Sequence, residues 1–415
     1  MRVLWFAVTP SLYDEQKIGG WIASLERIMR QYFPNMDLGI AFEHTDNCLK
    51  KQAENVTYYP MKRKMQLKDK LKAKIDFAFS WQLLKPRVME VISDFKPDVI
   101  HCFGSEWPFA SIASEIDIPV IVHMQGFLNI INMLGEMAFD DFDELKYHRY
   151  SLLQVCKNRL AKKRKAYGNA LEQNIMQVNR YFMGRTQWDK NLVKYYSENA
   201  CYFYCPEAIR KEIYESDYSW TFQPQEKMQL ITVSQAGSVK GNEIILRTAD
   251  LLKNQFHFDF TWKVAGNKES FKRFESKTGI CAKDVNIELL GFIDADTIAK
   301  ELSQAQLYVH PSIIDNSPNS LCEAQLVGCP VVATNVGGIP QLVENGVTGI
   351  LYPYNEPHTL AFHIMDLHNN QSMLEHLSEN ARRVAKERHD PKTVATTVED
   401  IYRQVIAHYQ NKNAK

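Results

Sequence analysis

The 415-residue chain has no surplus of charge of either sign: Lys plus Arg and Asp plus Glu stand at 49 each. No global field therefore draws it to nucleic acid. It has no apolar stretch of membrane-spanning length, so no segment is expected to cross a bilayer. The run Met1–Val8 is too short to combine a signal h-region with a cleavage site and reads as a first strand. The eight cysteines are scattered, and the closest pairs, Cys201/Cys205 and Cys322/Cys329, belong to no zinc-type quartet. Reduced structural thiols in a cytoplasmic protein are the expectation. Internal repeats and low-complexity tracts are lacking too. So are a Walker loop and the dinucleotide fingerprint Gly-x-Gly-x-x-Gly.

What the chain does have is alternation. Short apolar runs at Arg2–Ala7, Leu38–Phe42, Val56–Tyr59, Val99–Phe103, Val120–His123 and Arg180–Met183 read as strands, with helical patterns such as Gly20–Tyr32 and Leu84–Phe95 between them. The second half repeats this logic at Leu230–Ser234, Thr261–Ala265, Ile287–Leu290, Leu307–His310, Val331–Ala333 and Gly349–Tyr352. Such a pattern implies α/β architecture: two Rossmann-like, doubly wound parallel sheets facing a cleft, with ligands at the carboxyl ends of the strands. The length also favours two domains. Weak periodicity over Pro206–Lys227 places the connection there, giving domains at 1–205 and 206–393. A last amphipathic stretch at 394–411 is expected to pack back onto the first domain.

The most informative stretch runs from His310 to Pro340. Asp315 lies in a turn-rich loop, and Glu323 follows eight residues later. Asn319, Ser320 and Leu321 read as a helix start that places Glu323 in the first turn; Gly328-Cys329-Pro330 stops that helix. A helix N-terminus offers free N–H groups to an anion, here around Ser320, Leu321 and Cys322. Two carboxylates bracketing it suit a ligand with an anionic centre and hydroxyl-rich ends. Upstream, Val233-Ser-Gln-Ala-Gly-Ser-Val-Lys-Gly241 links a strand to a helix. Gly237 and Gly241 allow close backbone approach, and Lys240 adds a point charge. In the first half, Gly19-Gly20 sits between strand and helix, and His123 ends a strand before Gly126. Asp141-Phe-Asp143 and Asp294-Ala-Asp296 have the form of metal-binding triplets. The second reads as a helix cap and the first as part of an acidic stretch, so no metal is expected. Two basic stretches, Lys62–Lys74 and Lys157–Lys165, read as solvated helix faces or as surfaces for anionic lipid headgroups.

With these residues in view, the chain resembles a retaining glycosyltransferase of family four, with the two-domain fold called GT-B. The resemblance is strongest over 230–352. Its signature is two acids separated by seven residues, usually both Glu; here they are Asp315 and Glu323. The resemblance implies that Glu323 holds a nucleotide ribose, that Asp315 contacts the donor sugar and that Lys240 binds phosphate. The family's phosphate-binding Arg is replaced by Gln235. Gly19 and Gly20 match its glycine pair, His123 its cleft-facing histidine, and the strand end at Gly291-Phe292-Ile293 the place where the base is held. It further implies an acceptor-side first domain, a donor-side second domain and metal-independent transfer, with a nucleoside-diphosphate sugar as co-substrate instead of a cofactor. The acceptor would be a saccharide or lipid-linked molecule of cell-surface polysaccharide or glycolipid assembly, with peripheral contact to an anionic membrane. A nucleotide-sugar-binding subunit without activity, and an epimerase or phosphorylase on the same fold, are the alternatives.

Overall fold

The computed structural model describes residues 1–13, 20–44, 50–62, 66–234, 237–368 and 370–413. The chain divides into two compact units. The first comprises residues 1–129, 159–210 and 389–415; the second comprises 130–158 and 211–388.

Eight strands build the first unit's sheet: β1 (Arg2–Ala7), β2 (Asp37–Glu43), β3 (Lys51–Ala53), β4 (Val56–Met61), β5 (Val99–Phe103), β6 (Val120–His123), β7 (Tyr181–Gly184) and β8 (Cys201–Tyr204). Their spatial order is β3-β4-β2-β1-β5-β6-β7-β8. All neighbours are parallel except β3, which runs antiparallel along β4. The central strand β1 is apolar throughout Val3–Ala7 and fully buried there, as a strand covered by helices on both faces must be. The helix Gly20–Tyr32 buries Ile22, Leu25, Ile28 and Met29. The final helix, Pro391–Asn413, adds Val394, Val398, Ile401, Tyr402 and Val405 to the same core as Val3, Trp5 and Ile40. This helix therefore completes the first unit although it comes last in the chain. The helix expected at Leu84–Phe95 begins earlier, at Phe77, because Asp76 accepts a hydrogen bond from the Phe79 N–H and caps it.

The second unit carries six strands: β9 (Met228–Ser234), β10 (Phe260–Gly266), β11 (Ile287–Gly291), β12 (Leu307–His310), β13 (Val331–Thr334) and β14 (Ile350–Tyr352). They run in the order β11-β10-β9-β12-β13-β14, all parallel. The order reverses between β9 and β12. That is the switch point at whose carboxyl edge a doubly wound sheet offers a crevice.

The division differs from the expected boundaries. Residues 130–158 lie in the second unit, not the first. The reason is a set of side-chain contacts with the helix Lys268–Thr278. Phe139 packs edge-on against Phe274 at 5.2 Å, the Arg273 guanidinium lies 4.5 Å from the Phe139 ring centroid, and Arg273 also pairs with Glu144. Lys277 donates to the Ala138 carbonyl at 2.5 Å. Alternating strands and helices carry no sign of such long-range docking. The region expected to be a plain connection contains a helical turn, Lys211–Tyr214, whose Ile213 is buried. Two strands escape the sequence pattern, β3 and β8. Both are short sheet-edge strands of three and four residues, with no fully buried position in either, so neither shows a clear alternation.

Candidate functional site

The candidate site forms where the loops after β9, β12 and β13 meet. Gly241 takes a left-handed φ of 76°, and a Cβ there would lie 2.0 Å from the Pro311 carbonyl oxygen. The loop after β9 therefore touches the loop after β12 only because residue 241 has no side chain. The Ile313 N–H donates to the Val239 carbonyl at 2.8 Å and fixes the same contact. From the other side, Gly337 has φ 55°, and a Cβ on it would lie 2.1 Å from the Asp315 carbonyl. The Gly338 N–H donates to that carbonyl at 3.0 Å, and the Thr334 hydroxyl donates to the Ser312 carbonyl at 2.6 Å. These contacts set where Lys240 and Asp315 point.

Lys240 Nζ lies 2.7 Å from Asp315 Oδ2 in a largely buried ion pair. His310 Nε2 is 3.3 Å from the same oxygen but is not aligned for a hydrogen bond, so its contribution is one of proximity. The Ser312 hydroxyl donates to Asp315 at 3.3 Å. Burial alone would raise the Asp315 carboxyl; the Lys240 charge and His310 outweigh it and hold the group well below the usual carboxylate range. Beside it, the Tyr308 hydroxyl bridges Ser320 Oγ at 2.9 Å and His310 Nδ1 at 3.1 Å. Burial raises the Tyr308 phenol, and its surroundings include both Glu323 and Asp315. Tyr308 is thus buried within electrostatic reach of both acids.

The helix Asn319–Val327 begins where the sequence places it, with Pro318 as an N-cap that contributes no side-chain acceptor. Two details depart from expectation. Glu323 is the fifth helical residue, in the second turn, and is almost fully buried. Its stabilisation of the helix dipole is correspondingly weaker, because that effect falls off within the first turn. The Leu321 and Cys322 N–H groups both donate back to the Pro318 carbonyl, at 3.1 and 3.2 Å. Among the described residues, the donors at this helix start that meet no backbone acceptor are therefore Asn319 and Ser320 rather than the trio centred on Leu321. Lys240 ends a short 3-10 turn, Ser238–Lys240, which starts from Gly237 at φ 151°. Gly135 approaches this turn closely enough that a Cβ would lie 2.7 Å from Ser238 Oγ.

The remaining expected residues lie on other elements. Phe292 follows β11 and is 76% exposed, next to Gly291 at φ 82°. Gly20 opens the first helix at φ 50°. His123 ends β6 in the first unit, buried to 1%. Gly19 and Gln235 lie outside the described residues. The Asp-x-Asp triplets serve helix starts and ion pairs: Asp294 caps the helix Ala295–Gln304, Asp143 completes a capping box with Asp140, and Asp143 lies 3.5 Å from Lys277.

Sequence reading missed His310, Ser312, Tyr308 and Gly337 as parts of the site. His310 and Tyr308 end a buried strand, where polar residues must find partners, and that was the available signal. In the first unit it missed a charged group around Arg185. Arg185 is 3.3 Å from Glu207, and its guanidinium stacks over Trp21 at 4.5 Å. Burial, with Glu172 nearby, raises the Glu106 carboxyl to about 7.

Residues 219–384 match the model of the family Glycosyl transferases group 1. That stretch is similar to a group 1 glycosyl transferase domain. It contains Lys240, Asp315 and Glu323. An uncharacterized glycosyltransferase of Methanocaldococcus jannaschii, MJ1178, is 28% identical over 230 residues, covering 53% of this chain and 56% of that protein. The amylovoran biosynthesis glycosyltransferase AmsK of Erwinia amylovora is 28% identical over 156 residues, 35% of this chain and 37% of its own. The alignments thus span 56% and 37% of these curated relatives. Among solved structures, a sucrose-phosphate synthase from Thermosynechococcus elongatus superposes with a TM-score of 0.71 at 13% identity, over 98% of this chain and 99% of that one. Anabaena HepE in complex with UDP and glucose gives 0.65 at 16%, over 96% and 98%. At such identities the likeness concerns the fold, which is GT-B, with two parallel-sheet α/β domains.

Proposed function

We propose that the protein is a retaining glycosyltransferase that moves a sugar from a nucleoside diphosphate to an acceptor hydroxyl, independently of metal. The observation that carries this reading is the largely buried Lys240–Asp315 pair at the carboxyl edge of the second sheet, beside the bare N–H groups of the helix starting at Asn319. In this reading Lys240 and those N–H groups hold the diphosphate, Asp315 and Glu323 accept sugar and ribose hydroxyls, and His123 serves the acceptor side. Preorganised donors of this kind stabilise charge that develops on a leaving group. The acceptor oxygen attacks the anomeric carbon on the face the diphosphate leaves. The bond from that carbon to the phosphate oxygen breaks with its electron pair on the phosphate, and the acceptor proton passes to that phosphate oxygen. No covalent enzyme intermediate is involved.

Relatives named for amylovoran and colanic acid biosynthesis support surface-polysaccharide assembly as the setting. The HepE complexes with UDP-glucose support a uridine nucleotide as the first donor to try. The test is transfer to an acceptor panel, with NMR of the product's anomeric configuration. Retained configuration that disappears with Glu323→Ala supports the reading; inverted product, or unchanged turnover in that variant, contradicts it.

Peripheral membrane contact belongs to the same proposal. Among the described residues, no helix is long and apolar enough to cross a membrane. The helix Leu152–Val178 opens with Leu152 and Leu153, which are 84% and 73% exposed. Exposed Lys157, Arg159, Lys162, Lys163 and Arg164 follow on the same helix. Apolar side chains beside clustered cations suit an anionic bilayer surface.

A further inference from the structure

Four buried side chains in the first unit form a hydrogen-bonded chain whose direction can be derived atom by atom. Trp5 Nε1 lies 2.9 Å from the Tyr402 hydroxyl. An indole nitrogen only donates, so Tyr402 accepts there. Among the described residues the other partner of the buried Tyr402 hydroxyl is His101 Nδ1, 2.6 Å away, so its single proton is satisfied by pointing there. With Nδ1 accepting, neutral His101 carries its proton on Nε2, which lies 3.1 Å from His123 Nδ1. His123 Nδ1 accepts in turn, and its own proton sits on Nε2. Both rings are neutral: burial lowers His101 to about 3 and holds His123 well below the ordinary range, with His101 and Arg185 adding to the effect.

His123 Nε2 is the end of the chain. It is fully buried and, among the described residues, has no hydrogen-bond partner. A buried N–H without an acceptor is costly and rare, so it calls for an explanation. The ring is held on its other sides by Trp21 at 5.0 Å, His101 at 5.2 Å and Phe103 at 5.9 Å. The ring position is therefore fixed, and so is the tautomer.

We propose that Trp5, acting through Tyr402 and His101, locks His123 as the Nε2–H tautomer so that it presents one directed hydrogen-bond donor to a substrate oxygen. His123 then cannot be the base that deprotonates an acceptor, because its basic nitrogen is turned inward onto His101. The substrate half of this proposal rests on the glycosyl-transfer reading, where that oxygen is a sugar or acceptor hydroxyl. Trp5, Tyr402 and His101 are positioning residues, remote in sequence from one another and contributed by the first strand, the last helix and a central strand.

The experiment is long-range 1H–15N NMR of the full chain labelled at histidine, with His123→Gln to assign the ring. The expected result is an unprotonated Nδ1 and a protonated Nε2 on His123 without any ligand. A proton on Nδ1, or a ring that titrates near neutral pH, overturns the proposal. Tyr402→Phe breaks the chain and should yield mixed tautomers. In that variant, affinity for UDP-glucose or another donor found by thermal shift should fall about two- to tenfold, the worth of one net hydrogen bond. Trp5→Phe serves the same purpose if Tyr402→Phe does not fold. An unchanged tautomer with unchanged affinity in the folded variant overturns the positioning role. A donor that raises the melting temperature without moving the Nε2 resonance overturns the substrate contact while glycosyl transfer stands; a donor panel with no binder contradicts both together.

Discussion

At the scale of single residues, the proposed chemistry rests on Asp315 and Lys240. The ion pair leaves Lys240 neutralised at 2.7 Å, so an incoming diphosphate must compete with Asp315 for it. Lys240→Ala should weaken nucleoside-diphosphate binding roughly 10- to 100-fold, the worth of one charge-assisted bond, as read by calorimetry. Asp315→Asn should separate two roles: free nucleoside diphosphate binds at least as well as to the parent, because the competitor is gone, while sugar transfer falls. Tighter demands on nucleotide and sugar alike in that variant would contradict the competition. The pH dependence follows from the depressed Asp315 carboxyl. Its folded-state pKa lies below the unfolded value of about 4, so the stability it contributes is fully present above pH ~4 and is lost as pH falls through the folded value. Thermal melts from pH 6 to 8 should therefore show no change attributable to this pair, and the Asp315→Asn difference should shrink only in strong acid.

Glycine carries the architecture at the scale of elements. Gly241→Ala would put a Cβ 2.0 Å from the Pro311 backbone oxygen at a left-handed φ. Left-handed strain alone costs roughly 1–2 kcal/mol, and the backbone clash adds to it. The expected outcome is a lower melting temperature together with lost donor binding, since the loops after β9 and β12 separate. The elements themselves were largely legible in the sequence, because buried parallel strands are near-continuous apolar runs and stand out. The helix starting at Asn319 was legible from its start at Asn319-Ser320-Leu321 and its stop at Gly328-Cys329-Pro330. Its N-terminal donors were not: which N–H groups remain bare depends on the Pro318 carbonyl serving both Leu321 and Cys322, a matter of geometry without a sequence signature. The pairing of His310 with Asp315 was likewise hidden, since five residues of irregular loop have no periodicity to project.

At the scale of the molecule, the sequence pattern conveyed two parallel sheets and a final helix belonging to the first unit. It did not convey that residues 130–158 join the second. That assignment rests on Phe139, Glu144 and Asp143 meeting Phe274, Arg273 and Lys277 more than a hundred positions away, and local patterning is blind to such pairs. The exposed Leu152–Leu153 pair and the cations that follow it set an expectation for the whole protein. It should sediment with vesicles containing acidic lipid at low salt and be released as ionic strength rises, because exposed charges are screened. Equal recovery in the supernatant with and without acidic lipid would remove the membrane contact. Most directly, the central claim that the Asp315–Glu323 turn and Lys240 hold a sugar nucleotide is tested by a thermal-shift screen of nucleoside diphosphates and their sugars, run on the parent and on Glu323→Ala. The expected result is a rise in melting temperature with at least one nucleoside-diphosphate sugar that Glu323→Ala abolishes; no rise with any of them, or an equal rise in the variant, would contradict it.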